Sequence, residues 1–231
     1  MNRKSRYIIG VDEAGRGPLA GPVTVGAVIV PVGWKIPKHI HISGRKSKST
    51  PLRDSKKLSA RGRENWLFWM KNMTREGKIA FATANVFQRT IDHAGISRAT
   101  RTAALRAIES ALRKSGAKYQ NIANVYSDAG IFHYSGKYER WYQKTKSFIK
   151  GDEKIPIISL ASIAAKTSRD SLMIKTAEQY PKYGFEIHKG YGTKAHIKAL
   201  KRFGVSEAHR LTFVGNFSTI SKGKLSPQSK E

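Results

Sequence analysis

Two β-branched runs open the chain. Tyr7-Ile8-Ile9-Gly10-Val11 and the stretch from Val23 to Val30 are bounded by turn residues, and they read as partner strands. A third alternating segment, Lys78 to Ala84, predicts another strand. Between them the apolar positions shift to helical spacing: Ser59 is placed to cap a helix through about Asn72 that carries Trp66, Leu67 and Trp69 on one side. Ala104, Leu105, Ile108 and Leu112 predict a second long helix over residues 97–114.

Further on, Asn124-Val125-Tyr126-Ser127 reads as a short strand that runs into Asp128-Ala129-Gly130. Ser147-Phe148-Ile149 reads as another, ending in Lys150-Gly151-Asp152. Pro156 suits the first turn of a helix through Ala161, Ala164 and Ala165 toward Met173, and a last helix is expected near residues 194–202. Three strands followed by strand-helix alternation predict an α/β domain with a mixed central sheet. Residues 1–217 are expected to form that domain, interrupted by a basic loop over about 33–53, with a Ser- and Lys-rich disordered tail over 218–231.

Charge adds a partner. Among 231 residues, 43 Lys and Arg against 16 Asp and Glu give a formal net charge of +27. Such a surface repels itself and suits a polyanion, nucleic acid first. No amphipathic lipid-binding helix, lipidation signal, signal peptide or membrane-length apolar run is present, so a soluble, cytoplasmic protein is expected. With no cysteine, disulfides, thiolate zinc sites and cysteine nucleophiles are excluded.

The acids are few, and their positions are therefore informative. Asp12-Glu13 ends the first strand, Asp128 another and Asp152 a third. Strand ends gather at one edge of an open α/β sheet, which is where such folds bind ligands. Four carboxylates without cysteine or spaced histidines suit the hard ions Mg²⁺ or Mn²⁺, and two such ions support phosphodiester hydrolysis. Each acid also has a plainer reading. Asp128 fits a turn, Asp152 could pair with Lys150 or Lys154, and Glu13 alternates away from Asp12 unless the strand ends or twists near Gly15.

Gly15-Arg16-Gly17-Pro18-Leu19-Ala20 formally fits a dinucleotide-binding fingerprint. A strand follows instead of a helix, Pro18 and Pro22 interrupt any helix, and no acid for a ribose follows within thirty residues. That reading is rejected.

Six ordered blocks then carry a resemblance. They are Gly10-Val11-Asp12-Glu13-Ala14-Gly15-Arg16-Gly17-Pro18, Asp54-Ser55-Lys56-Lys57-Leu58-Ser59, Lys150-Gly151-Asp152, the stretch Ala161 to Lys166 with Arg169-Asp170, His188-Lys189-Gly190-Tyr191, and His209-Arg210. With them the chain resembles ribonuclease HII, the bacterial type 2 ribonuclease H. The resemblance implies a ribonuclease H-like fold and metal-dependent cleavage of RNA in RNA/DNA hybrids and at single ribonucleotides in duplex DNA. Incision is expected on the 5′ side of the ribonucleotide, leaving a 3′-hydroxyl and a 5′-phosphate.

Carried over by position, Asp12, Glu13, Asp128 and Asp152 are the expected metal ligands. Gly15, Arg16 and Gly17 are expected to sense the ribose 2′-hydroxyl at the RNA-to-DNA junction, with Tyr191 as their partner. Only that hydroxyl distinguishes a ribonucleotide in otherwise ordinary duplex, and glycine lets the backbone approach it. Lys56 and Lys166 are expected to contact phosphates.

Asp170 is read as a structural ion-pair partner, and no histidine as a ligand. The chain departs from the family pattern at Ala129, at Leu160 and in the basic segment from His39 to Thr50, none of which removes a ligand. A monomer is expected. The rival readings are a non-enzymatic basic RNA-binding protein and another two-metal nuclease that cuts DNA.

Overall fold

The computed structural model describes residues 6–41, 49–128, 130–131 and 139–215. β1 (Tyr7–Ala14) pairs antiparallel with β2 (Val23–Pro31) along its whole length. A small hairpin follows, β3 (His39–Ile40) with β4 (Thr50–Pro51). α1 (Ala60–Arg75) leads to β5 (Ala80–Val86), which lies antiparallel outside β2. α2 (Gln88–Ala94) and α3 (Ile96–Ser115) precede β6 (Ile122–Asp128), which is parallel to β1. α4 (Glu139–Lys144) and β7 (Thr145–Phe148) complete the sheet in the order β5-β2-β1-β6-β7. This is the mixed sheet that the sequence predicts.

The chain then turns helical. α5 (Gly151–Lys154) and α6 (Pro156–Gln179) are followed by α7 (Phe185–His188), α8 (Lys194–Phe203) and α9 (Leu211–Val214). Alternation along β1 sends Ile9 and Val11 into a core with α3, built on Ala103, Ala107 and Ile108. On the opposite face α6 and α1 pack through Ile157, Leu160, Ile163, Trp66 and Met70. Burying each such large side chain contributes about 1.5–3 kcal/mol.

α6 crosses the sheet at very close range. A Cβ on Gly10 or Gly26 would lie 2.4 Å from the Ile157 carbonyl oxygen or 2.3 Å from that of Ala161, so the two glycines let the helix backbone rest on the strands. Leu160, one of the departures, is fully buried in this layer. A third cluster, with Leu19, Met173, Phe185 and Leu200, joins the carboxy-terminal helices to the turn after β1.

Several boundaries differ from expectation for local reasons. The Met73 carbonyl accepts the amides of Lys78 and Ile79, so β5 begins two residues late. β7 stops at Phe148 because Lys150 turns left-handed (φ 56°), and Asp152 sits in the first turn of α5 instead of on a strand end. The segment expected as a basic loop is anchored in part. Trp66 Nε1 donates to the Pro51 carbonyl (3.0 Å), and Trp34 packs on Trp69. The short α2, α4, α7 and α9 carry too few turns to show a period. Ala129 and the tail over 218–231 lie outside the described residues.

Candidate active site

Because β6 and β7 run parallel to β1, the carboxyl ends of all three strands share one edge. Asp12 faces α6 and is buried (4% exposed), with Ser162 of that helix beside it. Pairing of β1 with β6 stops at Val11↔Ser127, whereas β1 stays paired with β2 through Ala14. Among the described residues no strand pairs with β1 on the β6 side beyond Val11, and Glu13 joins the same cluster around that edge. Asp128 ends β6 and accepts the Gly151 amide (3.0 Å), which brings α5 and Asp152 alongside it.

The electrostatics are those of crowded acids. Burial first, and then the charges of Glu13 and Asp152, push Asp12 well above the usual carboxylate range. Burial raises Glu13 and Asp128 adds to it, against Arg16. Asp152 is raised by burial, by Asp54 and by Asp128. Glu13 Oε2 is buried without a hydrogen-bond partner among the described residues. An oxygen-only donor set in which Asp12, Glu13 and Asp152 are raised by burial and neighbouring carboxylates, with one orphaned oxygen, has the chemistry of a divalent-cation site. Among the described residues, no three Asp, Glu or His side chains stand close enough as placed to grip one ion.

A cation already stands among these acids. Burial works against the charge of Lys56, but Asp54, Asp152 and Asp12 outweigh it and hold its pKa above the ordinary lysine value. Asp54 belongs to the cluster, though the sequence reading passed over it. It is buried, its Oδ1 caps the Lys56 amide (2.9 Å), and its charge helps to raise Asp152. Its position two residues before Lys56 in a matched block was the available signal.

The remaining expected site residues converge. One cavity of ≈ 580 Å³ is lined by Glu13, Gly15, Arg16, Gly17, Lys56, Lys166 and Tyr191, together with Ala14, Ser55 and Arg63. Lys166 donates to Asp170 (2.7 Å), which also pairs with Arg63 (3.5 Å), so Asp170 is an ion-pair partner as expected. Arg16 stands 3.8 Å from Glu13 and is partly exposed.

The two glycines of the Gly15-Arg16-Gly17 turn do different work. Gly15 has φ +89°, and a Cβ there would meet Arg169 Nε at 2.0 Å. Its missing side chain would point into the protein interior, while its backbone lines the cavity. A Cβ on Gly17 would meet nothing within 4 Å, so the open approach lies there.

Two buried arginines hold this turn. Arg169 donates to the carbonyls of Pro22 (2.9 Å), Lys189 (3.0 Å) and Ala20 (3.1 Å). Arg210 donates to Gly21 (2.9 Å), Arg16 (2.8 Å) and Gly15 (2.6 Å). Burial lowers the pKa of both below the usual arginine value, and each remains a cation. The sequence reading assigned neither a role.

Comparison with known proteins gives a family and a fold. The family model described as Ribonuclease HII matches residues 9–216. A Ribonuclease HII of Coxiella burnetii is 42% identical over 206 residues, covering 89% of this chain and 87% of that protein. The solved ribonuclease H2 of Pyrococcus horikoshii OT3 superposes with a TM-score of 0.64 at 20% identity, covering 94% of this chain and 100% of that one. Bst-RNase HIII in complex with Mn²⁺ gives a TM-score of 0.58 at 16% identity, covering 95% and 71%. The match along nearly the whole chain, and not the fold likeness alone, decides the assignment: the chain belongs to the ribonuclease HII family.

Proposed function

We propose that the cavity beside the carboxylate cluster binds a duplex at an RNA-to-DNA junction and that Asp12, Glu13, Asp128 and Asp152 hold the divalent ions used for cleavage. Family membership makes the chain a ribonuclease H, an endonuclease that cuts RNA paired with DNA. The observation that carries the finer reading is the single cavity that brings Glu13 beside Gly15, Arg16, Gly17, Lys56, Lys166 and Tyr191.

The open face at Gly17 gives a sugar room to approach the backbone. The Tyr191 ring, 41% exposed, is placed to pack on that sugar and hydrogen-bond its 2′-hydroxyl. Lys166, steadied by Asp170, and Lys56 supply positive charge to the flanking phosphates. Two ions, Mg²⁺ or Mn²⁺, would lower the pKa of the attacking water and offset charge on the departing 3′ oxygen. Incision would fall 5′ to the ribonucleotide. Among the described residues no helix is long and apolar enough to cross a membrane, in keeping with a cytoplasmic protein that meets its substrate in DNA.

The test is cleavage of a DNA duplex carrying one ribonucleotide, with Mg²⁺ or Mn²⁺, beside an all-DNA duplex and the Asp128→Asn protein. Incision 5′ to the ribonucleotide alone, lost in the variant, is expected. Tight binding without incision would point to a binding protein, and cutting of the all-DNA duplex to another nuclease.

A further inference from the structure

Behind the exposed Tyr191 lie three buried imidazoles that the reading above does not use. His188, His196 and His209 are 9%, 0% and 2% exposed, and the rings of His188 and His196 stack at 4.4 Å, 15° from parallel. Their hydrogen bonds run in one direction only. The Ser206 amide donates to His209 Nδ1 at 2.9 Å, shorter than the 3.3 Å from that nitrogen to the Ser206 carbonyl, so Nδ1 is the acceptor and carries no proton. A neutral His209 is then protonated at Nε2, which lies 3.1 Å from His196 Nε2 and donates to it. His196 must in turn carry its proton on Nδ1, which donates to the Tyr191 carbonyl at 2.9 Å.

His188 follows the same logic. Its Nδ1 accepts the Gly190 amide (3.2 Å), leaving Nε2–H to donate to the Tyr183 carbonyl (2.7 Å). Neutrality of the relay agrees with burial, which lowers His196 to about 4 and His209 to about 3. The Tyr191 carbonyl also accepts the Thr193 amide (2.8 Å), and the Tyr191 amide donates to the His188 carbonyl (2.9 Å). A half-exposed ring on the surface thus has its backbone fixed from below by a chain of single-tautomer histidines.

We infer that His196, set in its tautomer by His209, is a positioning residue that aims Tyr191 at the ribose. The inference rests on the role of Tyr191 proposed above. A core histidine that merely fills space would stabilise the fold without acting through the tyrosine, and a double-mutant cycle separates the two cases.

The variants are His196→Leu, which removes the donor, and His196→Asn, which keeps an amide N–H in place of Nδ1–H. Each is made with Tyr191 intact and with Tyr191→Ala, and KM and kcat are measured on a duplex with one ribonucleotide. His196→Leu should lower kcat/KM about tenfold with Tyr191 present, as expected when a substrate-positioning group drifts by a fraction of an ångström. With Tyr191→Ala it should change kcat/KM less than about twofold, and His196→Asn should recover most of the loss.

Equal losses in both tyrosine backgrounds overturn the inference and leave the role of Tyr191 standing. An unaltered rate for Tyr191→Ala alone overturns both. Should His196→Leu fail to fold, imidazole ¹⁵N spectra of the parent protein at neutral pH decide: the inference requires Nδ1–H on His196 and Nε2–H on His209, and the opposite tautomers or cationic rings refute it.

Discussion

Alanine at Gly15 and at Gly17 should fail in opposite ways, although only Arg16 separates them. At Gly15 the backbone has φ +89°, and the new Cβ would stand 2.0 Å from Arg169 Nε. The left-handed conformation alone costs a non-glycine residue about 1–2 kcal/mol. Arg169 must also give way, and it is buried with three carbonyl partners. Losing one hydrogen bond to a charged group costs about 1.5–3 kcal/mol. Together these make roughly 3–5 kcal/mol, a large share of the 5–15 kcal/mol by which a domain is stable. Gly17→Ala meets no atom within 4 Å and needs no unusual backbone, so its stability should stay within about 0.5 kcal/mol of the parent.

Gly17→Ala should instead lose activity while keeping its stability. The methyl at Gly17 projects into the approach that the proposal reserves for a sugar, and a displacement near 1 Å there can cost about 10²-fold in rate. Urea denaturation of both variants and steady-state cleavage of a duplex with one ribonucleotide test the pair. A parental urea midpoint for Gly15→Ala would refute the assignment of its Cβ space to Arg169. A Gly17→Ala protein that is fully active would remove the sugar from that face.

Three further outcomes follow from the same geometry. Asp12→Asn and Asp128→Asn should each lower turnover by more than the roughly 10–100-fold typical of residues that only support a metal ligand, and near-parental rates in either would dismantle the ligand set. His209 titrates at about 3 when folded, against about 6.5 unfolded, so its contribution to stability is complete above pH 6.5 and is lost as pH falls toward the folded value. From pH 7.5 to pH 5 it should cost the parent about 2 kcal/mol that His209→Asn does not lose; comparing the two proteins cancels the opposing effect of the raised carboxylates, and identical pH profiles would count against the buried neutral ring. Duplex affinity should fall steeply with salt through counterion release, by about 0.9 in the log–log slope for each phosphate neutralised, and a flat profile would detach the +27 surface from nucleic acid.

What the sequence made legible was whatever topology transmits directly. Asp128 ends β6, and Asp12 lies where β1, which runs on to Ala14, stops pairing with that parallel strand, so both reach one edge of the sheet. Asp152 was placed in the right cluster for the wrong local reason, since the turn at Lys150 moves it onto α5. Asp54 went unassigned because a lone acid in a basic stretch looks like a solvated charge, and the acid it acts on, Asp152, is almost a hundred residues away. Arg169 was hidden in the same way, although Ile158, Ser162, Ala165, Arg169 and Met173 recur at helical spacing along one buried stripe of α6. An arginine on such a stripe is a signal for a buried cation, and it was overlooked because this chain is rich in arginine everywhere.

The means by which those buried cations are satisfied explains how so basic a protein leaves the acids proposed to bind metal available. A buried guanidinium ordinarily calls for a carboxylate, and with 16 acids against 43 Lys and Arg such pairing would draw on the groups needed at the strand ends. Arg169 and Arg210 are instead satisfied by six backbone carbonyls, on Gly15, Arg16, Ala20, Gly21, Pro22 and Lys189. Carbonyls are fixed to the chain, so the same bonds that satisfy the charge also define where the chain runs. Arg169 reaches from the turn after β1 to Lys189, two residues before Tyr191, and its guanidinium carbon lies 5.7 Å from the Tyr191 ring. Arg210 fixes the carbonyls on either side of the Gly15–Arg16 peptide link. The turn and the tyrosine that are proposed to read one ribose are thereby tied to each other through the interior, and a change at either arginine should disturb both.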